Sequence, residues 1–239
     1  RASDAALYHA KQSGGNQTIL FSEIISAPLK NAIARVSDEK TALSTVHALV
    51  AAVDAKDHYT SRHSQLVATY ATALAQAAGL SPYKTATLRT AALLHDVGKI
   101  GIPDELLNKT GKLTAEEWET LQSHSRLGVS IISHVPGLAP CLPIILHHHE
   151  HYDGMGYPKQ LKGETTSLEA RILAVADAFA AMTTVRPYRR ALSYKEAIAE
   201  LKRAAGTQFD PELIELFIPI ALSSAPEEAV ADNQPNSED

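Results

Sequence analysis

The chain has 239 residues, 45% of them apolar and 21% charged, with a formal net charge of -5. That length allows one well-buried domain with appendages, and no apolar stretch approaches the roughly 18 consecutive positions of a membrane-spanning helix. The acidic balance excludes a general polyanion-binding surface, so no DNA, RNA or membrane contact is expected of this chain, and phosphate in a ligand must be met locally.

The chain opens on Arg1 with no secretory signal behind it, and is expected to be a piece of a longer, cytoplasmic polypeptide. Other parts of that polypeptide could still anchor it to a membrane. Residues 1–22 contain "SDAALYHAK", a short helix stopped by Gly14 and Gly15, and then "NQTILF", which reads as a strand. This stretch resembles the C-terminal end of a GGDEF (diguanylate cyclase) domain, which commonly runs as ADxALYxAK before a Gly-Asn turn and a last strand. Residues 23–45 read as a linker helix, and helix-favouring residues dominate from there on, giving an all-α main domain over 46–222. "TSRHSQLVATYATALAQAAG" carries a stripe of Leu66, Val67, Tyr70 and Leu74 and stops at Gly79. Ser81 and Pro82 open the next helix, which becomes densely apolar just before His95 and Asp96. Thr114 and Glu117 make a capping box for a long helix running through His124 towards His134, and Ser193 and Glu196 make another. "SLEARILAVADAFAAMTT" lies between them as an apolar helix, and Asp210 with Pro211 opens the last. Residues 223–239 are acidic, proline-containing and non-periodic, as a disordered tail would be.

The compositional oddity is eleven histidines against one tryptophan and four phenylalanines. The single cysteine, Cys141, excludes a disulfide framework and a Cys-based zinc cluster, so metal chemistry here must use nitrogen and oxygen. Asp177 sits mid-way along an apolar helix, where burying a carboxylate costs several kcal/mol, about, unless a cation compensates it. An ordinary ion pair with Arg171 or Arg186 would suffice. His95 and Asp96 are adjacent, and adjacent helical residues diverge by about 100°, so both reach one ion only near a helix end. Val97 and Gly98 supply such an end. A lone His-Asp pair is usually a hydrogen-bonded core histidine, but with His63 upstream and Asp177 downstream it makes an H…HD…D series, which resembles the HD phosphohydrolase superfamily.

Residues 147–158, "HHHEHYDGMGYP", are similar to the HHExxDGxGYP signature of the HD-GYP family, helical cyclic-dinucleotide phosphodiesterases. His148, His149, Glu150, Asp153, Gly154, Gly156, Tyr157 and Pro158 match it in full. "YTSRHS", "HDVGKIGIPD", "HSRLG", "LAVADAF" and "RPYR" follow the family's order, and the likeness runs from about residue 46 to about 220. The fold it implies is the HD-domain helical bundle.

Carried over by position, the resemblance makes His63, His95, Asp96, His124, His148, His149 and Asp177 metal ligands. Asp96 would bridge two ions, with His63, His95 and Asp177 completing one and His124, His148 and His149 the other. Imidazole and carboxylate donors suit Fe, which the family favours, with Mn, Ni and Zn as alternatives. A hydroxide held between two ions could attack a phosphodiester. Asp96 and Lys99 are the candidate catalytic residues, and Lys99, Gly156, Tyr157, Pro158, Arg186 and Arg189 the candidate substrate contacts. The alternative role is surface solubility for Lys99 and surface ion pairs for the arginines, with the phosphate-facing reading preferred for each. Tyr157 is expected to stack on a base between glycines that let backbone approach the ligand, while Glu150 and Asp153 orient the histidines or the loop.

His9, His47, His58, His134, His147 and His151 have no motif position; a one-residue shift would exchange His147 for His149, against the HHE spacing. Some family members place a glutamate four residues before the first ligand histidine and recruit a third metal; Tyr59 stands there in this chain, implying two ions, and a second aspartate often found three residues after the ligand aspartate is Ala180 here. The implied activity is hydrolysis of cyclic di-GMP to pGpG, GMP or both, in bacterial signalling. Partners are cyclic di-GMP and an upstream GGDEF domain, with other GGDEF-domain proteins and a homodimer as further options. A non-catalytic cyclic-dinucleotide sensor, or an enzyme for another cyclic dinucleotide, is the alternative.

Overall fold

The computed structural model describes residues 44–46, 48–53, 56, 60–185 and 190–224. The chain divides into two compact units, Arg1–Thr45 and Val46–Asp239, and all the helices from Thr60 onward belong to the second. The expected helix-strand remnant over 1–22, most of the linker helix and the tail beyond residue 224 lie outside the described residues. The described residues are helical, with one isolated bridge between Ala205 and Phe209 and no helix long and apolar enough to cross a membrane.

Helix α1, Thr60–Ala77, buries Val67, Tyr70, Ala71, Leu74 and Ala75 on the face that the apolar spacing predicts, with Leu66 half-buried at its edge. Burying each large apolar side chain contributes about 1.5–3 kcal/mol. The helix stops at Gly79, whose φ of 75° belongs to the left-handed region. There Gly79 N–H donates to Gln76 O and Leu80 N–H to Ala75 O, the reciprocal closure that satisfies the last carbonyls. Helix α2, Pro82–Leu94, starts on Ser81, whose hydroxyl accepts from Lys84 N–H, and buries Leu88, Ala91, Ala92 and Leu94. A 3-10 turn, Val97–Gly101, follows, then the short α3, Asp104–Leu107.

The long helix expected after Thr114 is instead two, α4 over Ala115–Gln122 and α5 over His124–Ile132. The capping box of Thr114 and Glu117 is present. The break at Ser123 has a local cause. Ser123 Oγ donates to Thr120 O, His124 Nδ1 to Leu121 O and Ser125 Oγ to Gln122 O, so three successive side chains compete for ladder carbonyls. The break makes His124 the first residue of a new helix.

Helix α6, Leu142–His147, ends at the histidine run. Helix α7, Leu168–Thr183, buries Ile172, Leu173, Val175, Ala176, Phe179 and Ala180 on more than one side, as a central helix must. Helices α8, Tyr194–Arg203, and α9, Pro211–Ser223, start on the expected caps, Ser193 and Asp210. The main packing joins α1 to α2 and to α7, and α5 to the Val97–Gly101 turn and to α6. Tyr70, Phe179 and Phe217 meet edge-on with centroids 5.0–5.6 Å apart, and Tyr70 and Tyr194 hydroxyls share a 3.0 Å hydrogen bond. Each such aromatic pair adds about 0.5–1.5 kcal/mol beyond its burial.

One contact fixes the geometry of the site. A Cβ on Gly98 would lie 1.8 Å from His124 O and 2.5 Å from Gly128 N, so the turn packs backbone to backbone on α5. Only glycine permits that approach, and it holds the segment carrying Asp96 against the helix that starts at His124.

Candidate metal centre

Five elements deliver the site's side chains. His63 comes from α1, His95 and Asp96 from the junction of α2 with the Val97–Gly101 turn, and Asp177 from the middle of α7. His124 starts α5, and His148 and His149 follow α6. All seven side chains expected from sequence come together. Their donor atoms form two triads, His63/His95/Asp177 and His124/His148/His149, each with atoms within 4.8 Å of one another.

Asp96 lies between them. Its Oδ2 is 3.3 Å from His95 Nε2 and its Oδ1 is 3.7 Å from His124 Nε2. Within the first triad, Asp177 Oδ1 is 3.0 Å from His63 Nε2 and 3.7 Å from His95 Nε2. Arg171, an ordinary partner considered for Asp177, pairs with Asp210 instead.

The histidine protons are placed by a repeated local device. His95, His124 and His148 each donate Nδ1–H over 2.7 Å to the carbonyl three residues earlier, Ala92, Leu121 and Ile145. A carbonyl only accepts, so Nδ1 carries a proton in each ring and Nε2 faces the cluster; in the neutral rings of His124 and His148 that Nε2 holds the lone pair. His95 Nε2 is buried with the carboxylates of Asp96 and Asp177 at 3.3 and 3.7 Å, whereas the His124 and His148 Nε2 atoms are 3.5 Å apart and face each other. Facing lone pairs repel unless a cation lies among them.

Electrostatics agree with the geometry. Burial, reinforced by the neighbouring imidazoles, pushes His148 well below its ordinary value and His149 down to about 3, and burial also lowers His124. These rings are neutral and able to donate lone pairs at neutral pH. Burial would depress His95 too, but the carboxylates of Asp96 and Asp177 outweigh it and raise the group to about 10. Asp96 and Asp177 are both held well below the carboxylate range, against the effect of burial, by Lys99 and His95 for the first and by His63 and His95 for the second. The carboxylate side of the pocket, at Asp96 and Asp177, therefore favours added positive charge, and the His124/His148/His149 side offers neutral donors. Nitrogen-rich, thiolate-free donors of this kind fit a divalent metal centre.

Lys99 Nζ bonds Asp96 Oδ2 at 2.7 Å, at the edge of the cluster. Tyr157 stacks on His149, with centroids 4.8 Å apart and planes 29° apart, and burial pushes its hydroxyl above the usual range. Glu150 is buried and accepts from Lys159 and Leu161 N–H at 2.6 and 2.9 Å, while Asp153 Oδ1 accepts from Met155 N–H. Both carboxylates therefore shape the loop. Gly156 differs from expectation in one respect. The place a Cβ would take is filled by the chain itself, 2.2 Å from His151 N and 2.4 Å from His149 O, so the glycine serves the fold of the loop against the histidine run. Ala180 is fully buried in the apolar core. His134 is exposed and His147 half-buried, and both stand outside the triads. Arg186, Arg189, Tyr59, His9, His47 and His58 lie outside the described residues.

A groove of about 430 Å³ adjoins the cluster at Tyr157. Gly156, Tyr157, Pro158, Lys159 and Gln160 form one wall, and Glu119, Gln122, Ser123 and Arg126 the other. Sequence reading does not single out the second wall, although its spacing of three, four and seven residues around His124 marks one helical face.

The HD-domain family profile matches residues 48–213, the stretch that carries both triads. The chain belongs to the HD-domain family. A curated relative, 3'3'-cGAMP-specific phosphodiesterase 2 of Vibrio cholerae serotype O1, is 36% identical over 196 residues, 81% of this chain and 38% of the relative. A cyclic di-GMP phosphodiesterase of Thermotoga maritima is 39% identical over 165 residues, 68% of this chain and 45% of the relative. The chain thus spans less than half the length of these relatives. A crystal structure of a cyclic GMP-AMP specific phosphodiesterase of V. cholerae shares the fold, with a TM-score of 0.58 at 20% identity over 78% of this chain and 51% of that one.

Proposed function

We propose that this HD domain is a metal-dependent phosphodiesterase that hydrolyses cyclic di-GMP to pGpG, GMP or both. The observation that carries the reading is the position of Asp96, with one carboxylate oxygen near each of two separate triads of ligand-type side chains. His63, His95 and Asp177 would hold one divalent ion, His124, His148 and His149 the other, and Asp96 both. Iron is the metal favoured by the signature that residues 147–158 resemble, with Mn, Ni and Zn as alternatives for the same donors. When bound, such a pair lowers the pKa of water and polarises a phosphodiester.

The chain's own residues do the rest. The backbone carbonyls of Ala92, Leu121 and Ile145 orient three rings with Nε2 towards the cluster, so His124 and His148 are already in the donating tautomer, while His95 would give up its Nε2 proton on binding an ion. Lys99, anchored on Asp96, offers an ammonium to a phosphate oxygen or the leaving oxygen. Tyr157, fixed against His149, presents its other face to a base. Arg186 and Arg189 are further phosphate or guanine contacts in this reading. The catalytic domain is residues 46–222, and the resemblance of residues 1–22 supports a GGDEF domain as the upstream neighbour.

The names of the relatives favour a cyclic dinucleotide and support 3'3'-cGAMP as a second substrate. The test is metal analysis of protein purified under reducing conditions, followed by turnover of cyclic di-GMP with the products separated. Two ions per chain and release of pGpG or GMP are expected. Tight binding with no hydrolysis by the metal-loaded protein would overturn the enzymatic reading in favour of a sensor.

A further inference from the structure

We infer that the groove beside the metal cluster is a guanine-selective subsite and that Glu119 is its specificity-determining residue. This rests on the phosphodiesterase reading for the position of the phosphate. Tyr157 belongs to both regions, stacking on His149 and lining the groove, so a nucleotide with its phosphate at the triads has the groove next to it for a base. At about 430 Å³ the groove falls within the range of small-ligand sites.

Its lining is polar and asymmetric. Glu119, Gln122, Ser123 and Arg126 form one continuous stripe across the break between α4 and α5. Arg126 reaches over to the opposite wall, with Nη2 3.4 Å from Pro158 O, and Lys159 lies on that wall too. The cationic end is therefore set by Arg126 and Lys159 and the anionic end by Glu119. Among the described residues the Glu119 carboxylate has no hydrogen bond or ion pair, whereas Glu117, on the same helix, is taken by Lys109 and by the Thr114 cap.

Guanine fits that asymmetry. Its Watson–Crick edge offers two adjacent donors, N1–H and the 2-amino group, which a carboxylate accepts together, while O6 and N7 are acceptors suited to a guanidinium. Adenine places an unprotonated N1 on the same edge, which a carboxylate repels. A glutamine at position 119 could both donate and accept, the pattern that pairs with adenine.

The test uses the metal-loaded full chain and the exposed-site variants Glu119→Gln and Glu119→Ala, with cyclic di-GMP, 3'3'-cGAMP and cyclic di-AMP as substrates. Wild type is expected to prefer guanine. In Glu119→Gln the kcat/KM ratio of cyclic di-GMP to cyclic di-AMP falls by about 10- to 100-fold, mostly through KM, as expected for one bidentate base contact. In parallel, calorimetric titration with GMP and AMP reads the groove without turnover: wild type binds GMP more tightly, and Glu119→Gln loses that preference. An unchanged ratio alongside normal turnover refutes the subsite and leaves the phosphodiesterase standing. A GMP preference that depends on Glu119, in a protein that hydrolyses none of the three, sinks the phosphodiesterase and leaves the subsite. Equal binding of GMP and AMP by wild type overturns the subsite outright.

Discussion

Gly98→Ala adds one methyl group at the contact on which the site's geometry depends. The new Cβ would lie 1.8 Å from His124 O and 2.7 Å from His124 C, and both are backbone atoms that cannot swing aside like a side-chain tip. Reaching an ordinary contact of 3.4 Å requires the start of α5 to retreat by about 1.6 Å. That movement takes His124 away from Asp96 Oδ1, now 3.7 Å from its Nε2, and from His148 Nε2 at 3.5 Å. Overpacking of this kind costs about 1–3 kcal/mol, or roughly 2–12 °C in Tm for a domain of this size. A displacement of about 1 Å at a catalytic group can cost a hundredfold in rate. The variant is therefore expected to melt lower, to lose the ion at His124, His148 and His149 while keeping the one at His63, His95 and Asp177, and to lose at least about a hundredfold in turnover. Gly128→Ala is the control on the same interface, because its Cβ meets Val97 Cγ1 at 3.3 Å and should cost far less. Elemental analysis and thermal melts of the pair decide the matter. If Gly98→Ala binds two ions and turns over like wild type, the backbone contact does not position the centre.

Asp177→Ala removes the carboxylate shared by His63 and His95, and is expected to lower the metal content and abolish turnover, read by elemental analysis and product assay. Glu150→Ala removes the acceptor of the Lys159 and Leu161 N–H groups, two part-buried hydrogen bonds to a charged group, at a total cost of about 1–3 kcal/mol. Its Tm should fall, and hydrogen exchange over residues 152–162 should rise. Chelation of the loaded protein should lower Tm, because ions bind the folded cluster better than the open chain, and returning the metal should restore it.

The centre was legible in sequence to the extent that its residues announce themselves locally. Asp177 stands out as an acid in an apolar helix, His95 and Asp96 as a polar pair at a helix end, and His148 and His149 by their place before a glycine-rich turn. Their division into two groups came from family resemblance, and the structure brings the same residues together in the same two groups. What spacing could not convey arises from contacts between distant segments. The break at Ser123 depends on three side chains competing for carbonyls, which a capping box at Thr114 does not reveal. Gly98 reads as a turn residue, while its role is to admit the backbone of α5. Gly156 suggests room for a ligand, yet that room is filled by the histidine run. The groove exists only because residues 119–126 face residues 156–160, and neither segment alone carries a signature of it.

In the proposed centre Asp96 is the residue common to both ion positions. Elemental analysis of Asp96→Ala against wild type, both purified and loaded identically and shown to be folded by circular dichroism, tests this most directly. Two ions per chain in wild type and neither position filled in the variant is the expected result; two ions retained by Asp96→Ala would contradict it.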